Sequence, residues 1–217
     1  MTPFATLTAP ACPLPFESID TDQLIPARFM KRTRAEGYGD VLLHDRRFDA
    51  EGRPVASFPL NDPRFAGAAI LVARRNFGGG SSREAAVYAL ADAGFRCILA
   101  PSFGDIFAAN AVNNGLLPAR LAETDAEALL ALVSAVPAAV TVDLRARTVR
   151  IGSACFPFAI DPVPRTKLLN GWDDLDLTES YAAARTEFMA RDAEQRPWAR
   201  PFQGGTGGHG GGQDAPT

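Results

Sequence analysis

The sequence predicts an α/β domain with helices packed on a sheet, and three observations predict it. An apolar run at residues 68–77 (AAILVARRNF) passes through glycines 78–80 into a helical pattern at residues 81–93. A second apolar run at residues 96–100 (RCILA) leads to another helical pattern at residues 103–114. Alternating segments follow at residues 139–144, 148–151 and 156–160. Strand–helix–strand–helix followed by strands is the pattern of helices laid on a sheet.

The elements carry their own punctuation. Gly94 closes the first helix and Gly115 the second, because glycine readily takes the left-handed conformation that ends a helix. A third helix is expected over residues 124–136, opened by a Thr/Asp-type cap and stopped before Pro137. Residues 27–62 are rich in Arg, Gly, Asp and Phe with weak periodicity, and read as a long loop-rich excursion. Ordered loops of that length usually bind something. Residues 180–194 have helical spacing at Tyr181, Ala184 and Phe188, with Leu177 and Ala193 prolonging the face, and read as a C-terminal helix.

From Arg196 the periodic face ends, and seven of the last fourteen residues are glycine. Such a segment buries too little surface to offset its ordering entropy, so it reads as a flexible tail whose His209 is a solvated side chain. The expected organisation is a domain over residues 1–180, a helix over 181–195 and a tail over 196–217.

Composition narrows the function. With 47% hydrophobic residues in 217, the chain has material for a core and is not largely disordered. A formal charge of −3 and a pI near 5.4 argue against bulk nucleic-acid binding. No apolar run reaches the ~18 residues that a membrane span needs. The apolar start lacks the basic residues of a secretory signal, so the cytoplasm is the expected compartment. Cys12, Cys97 and Cys155 are odd in number, far apart and without CxxC spacing. That argues against a disulfide scaffold, a zinc site or an iron–sulfur site held by this chain alone.

The glycine turn is the densest chemical signal. Asn76 to Ala86 reads NFGGGSSREAA, between a buried strand and a helix start. Glycine lets a ligand approach the main chain, Ser81 or Ser82 can cap the helix, and the helix end favours an anion. Arg83 offers a fork for a carboxylate or phosphate. The lysine of a Walker loop and the third glycine of a dinucleotide fingerprint are both missing, so a small carboxylate fits better than a nucleotide. The plainer alternative is a tight strand-to-helix turn with a serine cap. A Ser–His hydrolase is poorly supported: GxSxG is absent, and the two histidines are His44 and the tail's His209. Ser81 as a proton acceptor would need its alkoxide stabilised by the helix end and by Arg83.

Four segments carry a family resemblance. NFGGGSSREAAVYAL resembles the GSSRE signature of the aconitase-superfamily swivelling domain. SIDTDQLIPARFMKR, APSFGDIFAANAVNNGLLPARL and LLNGWDDLDLT resemble, in order, the opening, middle and closing motifs of the 3-isopropylmalate dehydratase small-subunit family. The resemblance runs over about residues 4–181. It implies a swivelling β/β/α domain and a hydro-lyase that moves a hydroxyl between adjacent carbons of a malate-type acid in leucine biosynthesis. It implies a large-subunit partner carrying a [4Fe–4S] cluster, with no cofactor on this chain, no nucleic acid and no membrane. Carried over by motif, Ser81 is the base for the Cα proton, Arg83 grips a carboxylate and Ser82 is a neighbouring contact. The segment after the opening motif, around Arg28, Lys31 and Thr33, meets the variable side group. Two positions depart from the family: Gly79 stands where cysteine is common and Ala85 where histidine is common. They leave open a paralogue acting on a methylmalate or dimethylmalate, or a non-catalytic carboxylate-binding module.

Smaller constellations complete the expectations. Asp20 and Asp22, two apart on an extended segment, would share a side; they read either as orienting Arg83 and substrate or as a cap and an ion pair. Asp173, Asp174 and Asp176 read as a solvated face or N-cap. Tyr88, Phe95, Phe107 and Leu117 read as core, and His44 as a loop hydrogen-bonder.

Overall fold

The structure, a computed structural model, describes residues 1–136 and 138–199. They fall into two compact units, Met1–Leu175 and a second that begins at Asp176.

The first unit is built on one seven-stranded sheet: β1 (Thr6–Leu14), β2 (Ile70–Ala73), β3 (Cys97–Ala100), β4 (Leu117–Arg120), β5 (Ala139–Asp143), β6 (Thr148–Ile151) and β7 (Ala154–Pro157). Their order is β4-β3-β2-β1-β5-β6-β7. β4, β3, β2 and the end of β1 run parallel; the start of β1, β5, β6 and β7 run antiparallel. β1 thus belongs to both halves. Thr6 to Pro10 pair with β5 and alternate in exposure, while Ala11 to Leu14 pair with β2 and are fully buried. That is the difference expected between a one-sided antiparallel strand and a strand covered on both faces. An antiparallel bridge from Arg120 to Ala159 joins the end of β4 to the residues beyond β7, so the sheet curls.

The helices of this unit are α1 (Thr21–Leu24), α2 (His44–Arg47), α3 (Glu84–Asp92), α4 (Asp105–Asn113), α5 (Glu123–Ala135) and α6 (Pro162–Asn170). α7 (Asp174–Ser180) and α8 (Ala182–Gln195) follow. Leu14, Ile70, Leu71, Leu90, Ile98 and Leu99 are fully buried at the heart of the core. Each such side chain contributes about 1.5–3 kcal/mol relative to exposure.

Most expected elements form, with shifted limits. α3 starts at Glu84 rather than at 81, because Gly80 has φ +92° and Arg83 is still extended. The last strand begins at Ala154, since Gly152 (φ +55°) lets the chain reverse directly after β6. Phe95, Phe107 and Leu117 are core; Tyr88 is half-buried. The excursion at 27–62 is a chain of short helical turns.

In the second unit, the expected C-terminal helix forms as α8, which is rich in Ala, Glu, Arg and Met, all good helix formers. Its expected apolar face is not buried: Tyr181 and Phe188 are more than half exposed. Residues 200–217, His209 among them, lie outside the described residues.

Candidate active site

Three of the four family-like segments meet at the glycine turn. Phe77 N–H donates to the Ser102 carbonyl at 3.0 Å, and Gly104 N–H donates to the Phe77 carbonyl at 2.9 Å. On the other side, Gly78 N–H donates to the Ile19 carbonyl at 2.6 Å and Thr21 N–H to the Gly79 carbonyl at 2.9 Å. The turn is therefore stitched between the N-terminal DTDQ segment and the PSFGD segment. Gly78 is obligatory here. It has φ +72°, and a Cβ would stand 2.2 Å from the Phe107 ring. That ring packs edge-on against Phe77 at 5.4 Å.

The serines do not cap the helix, contrary to expectation. Arg83 occupies the N-cap position with no side-chain cap hydrogen bond, and Ser81 and Ser82 precede it, both exposed. Removing the cap role leaves the first-turn N–H groups of α3 facing the turn, where the helix dipole favours an anion. Ser81 is held by its backbone: the buried Thr21 donates its hydroxyl to the Ser81 carbonyl at 2.8 Å. Among the described residues, no protein partner engages the Ser81 hydroxyl.

Arg83 is mostly buried, with 17% of its side chain exposed, and it pairs with Asp22. Nη1 is the atom that faces Asp22 Oδ1, in an ion pair whose angle falls outside hydrogen-bond geometry. A guanidinium carries five N–H donors, so an arginine held on one side by a single carboxylate can still take an incoming carboxylate on another. Asp20 is extended and bridges Gly79, but Asp22 lies in the helical turn that follows, so the two do not share one extended segment. Asp20 is the N-cap of α1 and accepts from Gln23 N–H at 2.7 Å, while Asp22 is in the first turn and reaches Arg83. Cap and ion pair are thus divided between them.

Ser81, Ser82, Arg83 and Asp22 are brought to one place. Arg28 is instead engaged within the excursion: it donates to Asp45 at 2.8 Å and lies 3.1 Å from His44 Nδ1. The Arg28 guanidinium holds the Asp45 carboxyl well down, at about 2. Lys31 closes the same 3-10 turn and is exposed. His44, expected as a loop hydrogen-bonder, is the first residue of α2; it sits between the Phe29 and Phe48 rings, each at 4.9 Å, with Nδ1 3.1 Å from Arg28 and from Asp45. Thr21 and Asp45 were not picked out by sequence reasoning. A threonine inside a polar motif and an aspartate inside an irregular loop carry no local signal for their partners.

Cys12 and Cys97 are buried and Cys155 is exposed. Burial pushes the Cys12 thiol up to about 12 and raises Cys97 further, so neither is poised as a thiolate ligand. Among the described residues, no group of three or more His, Cys, Asp or Glu side chains could hold a metal ion. A cavity of about 410 Å³ opens beside α4 and α6, lined by Phe103, Val112, Ile160 and Lys167; the turn residues do not line it. Among the described residues, no helix is long and apolar enough to cross a membrane.

The chain is 47% identical over 201 residues to a 3-isopropylmalate dehydratase small subunit of Acidothermus cellulolyticus, covering 92% of this chain and 99% of that one. It belongs to the 3-isopropylmalate dehydratase small-subunit family. Family members from Brevibacillus brevis and Rhodospirillum centenum are each 42% identical, covering 88% and 92% of this chain and 100% and 99% of their own length. The model of the aconitase C-terminal domain matches residues 1–124, which include the whole turn. A crystal structure of 3-isopropylmalate dehydratase from Methanocaldococcus jannaschii shares the fold, with TM-score 0.58 and 21% identity over 84% of this chain and 98% of that one. The expected swivelling α/β domain is therefore the fold of this family member.

Proposed function

We propose that this chain is the small subunit of a 3-isopropylmalate dehydratase. Joined to a large subunit, it interconverts 2-isopropylmalate and 3-isopropylmalate through isopropylmaleate, in the cytoplasm and as part of leucine biosynthesis. The observation that carries the site assignment is Arg83: a mostly buried guanidinium held by Asp22, beside two exposed serines and an uncapped helix end.

In this reading Arg83 takes a substrate carboxylate in bidentate fashion, and Asp22 orients its fork. Ser82 contacts the same group. Ser81 Oγ, as the alkoxide, accepts the Cα proton; the C–H electron pair forms the double bond as the hydroxyl leaves the neighbouring carbon. Rehydration in the opposite sense adds hydroxide to the carbon that lost its proton, while Ser81 delivers that proton to the carbon that lost its hydroxyl, which regenerates the alkoxide. The alkoxide is stabilised by Arg83 and by the first-turn N–H groups of α3. The large subunit's [4Fe–4S] cluster would supply the Lewis acid for the departing hydroxyl. The cysteines of this chain do not fit that cluster, being buried or single. The open side of the turn is the place for the partner, and the Arg28–Lys31 segment, with Arg28 tied to Asp45, meets the substrate's side group.

Coexpression with the large subunit tests the reading. Isomerisation of 2-isopropylmalate by the complex, absent from either chain alone, is the expected result. A complex that prefers a methylmalate or dimethylmalate would reassign the substrate, and a cluster reconstituted on this chain alone would overturn the subunit reading.

A further inference from the structure

The excursion is fastened to the far end of the helix that the turn begins. α3 starts behind Arg83 and ends at Asp92, nine residues and so about 13 Å long. Asp92 Oδ2 accepts the Tyr38 backbone N–H at 2.9 Å and pairs with the Arg34 guanidinium. Arg34 lies 4.5 Å over the Tyr88 ring, and Tyr38 stacks on that ring at 6.2 Å. Gly39 rests on the helix backbone itself: a Cβ there would stand 2.7 Å from the Asp92 carbonyl, so no side chain fits.

The contact continues toward the candidate substrate segment. The Tyr38 hydroxyl donates to the Arg32 carbonyl at 2.7 Å. Arg32 and Arg28 both lie over the Phe29 ring, at 5.4 and 4.5 Å. An acidic residue in the last turn of a helix stands against the helix dipole. Helix energetics therefore do not account for Asp92, whereas its two partners do.

We propose that Asp92 is a positioning residue for substrate selection: by holding Arg34 and Tyr38 it fixes the Arg28–Lys31 segment relative to the Ser81 turn, and so sets the preference for a bulky side group. This rests on the functional reading above, in which that segment meets the side group. α3 is the rigid spacer, with the proton-accepting turn at one end and the latch at the other.

Two measurements separate the latch from the function. In the full chain, hydrogen exchange at the Tyr38 amide should quicken at least tenfold in Asp92→Ala and much less in Asp92→Asn, which keeps an acceptor. Unchanged exchange in Asp92→Ala overturns the latch whatever the enzyme does. In the assembled two-subunit enzyme, Asp92→Ala should lower kcat/KM for 3-isopropylmalate about tenfold, mainly through KM, while 3-methylmalate changes less than twofold. Tyr38→Phe, which cuts the link to Arg32 but leaves Asp92 intact, should move the ratio the same way. Equal losses on both acids, or no change in their ratio, overturn the positioning role. A wild-type complex inactive on both acids contradicts the functional reading, and the latch then stands or falls on exchange alone.

Discussion

Asp22 and Arg83 meet across the glycine turn, the carboxylate in the first turn of α1 and the guanidinium at the start of α3. Asp22 is half exposed while Arg83 is mostly buried, so the pair serves to aim the arginine more than to hold the fold. Asparagine keeps an acceptor oxygen beside the guanidinium, so the stability at stake is about 1 kcal/mol or less. Asp22→Asn should therefore leave the melting temperature nearly unchanged and raise KM for the malate-type acid several-fold, with a smaller fall in kcat. Unchanged KM would show that Arg83 is aimed by other contacts.

Arg83→Lys keeps the charge but loses the planar fork. In the assembled enzyme, substrate affinity and rate should fall together by at least tenfold, since one point charge replaces two directed donors. Near-normal kinetics would mean that the substrate carboxylate binds elsewhere.

Gly78 tests the turn as architecture. A side chain at φ +72° and 2.2 Å from the Phe107 ring requires both strain and displacement of a core aromatic. Gly78→Ala should cost about 2–4 kcal/mol, read by denaturant unfolding of the isolated chain. A cost below about 1 kcal/mol would show a turn that relaxes freely.

The Arg28–Asp45 pair predicts where acid loosens the excursion. Asp45 titrates at about 2 in the folded chain, below its ordinary ~3.9. A depressed carboxyl contributes its stabilisation above the unfolded value and loses it as pH falls through the folded one. The stability difference between wild type and Asp45→Asn should thus be flat from pH 8 to 5 and shrink below about 4. A difference that stays flat down to about pH 3 would contradict the pairing.

What the sequence made legible followed local pattern. β2, β3, α3, α4 and α5 are apolar runs or helical periods bounded by glycine, and they form near their expected limits. β1, β4 and α6 carry no clear periodic pattern, because Pro10, Pro13, Pro118, Pro162 and Pro164 interrupt them. Tertiary pairing overrides those interruptions, and the α6 prolines sit in the first turn, where no N–H is needed. At the site, the turn was legible as an anion site from its glycines, serines and arginine. The serine-cap alternative failed because positive φ at Gly80 delays the helix past both hydroxyls. Asp20 and Asp22 were legible as cap and ion pair, but which did which depended on a one-turn helix that four residues cannot announce. The exposed face of α8 was invisible, since helical spacing shows which side is apolar and not whether anything covers it.

Turnover by Ser81→Ala in the assembled enzyme, with the large subunit's cluster intact, tests the central claim most directly. If Ser81 accepts the Cα proton, kcat falls by several orders of magnitude while KM moves little, because Arg83 and the α3 end still hold the carboxylate. Ser82→Ala, measured alongside, should retain far more activity. Near-normal turnover by Ser81→Ala would remove the serine from the chemistry and return the turn to a purely structural role.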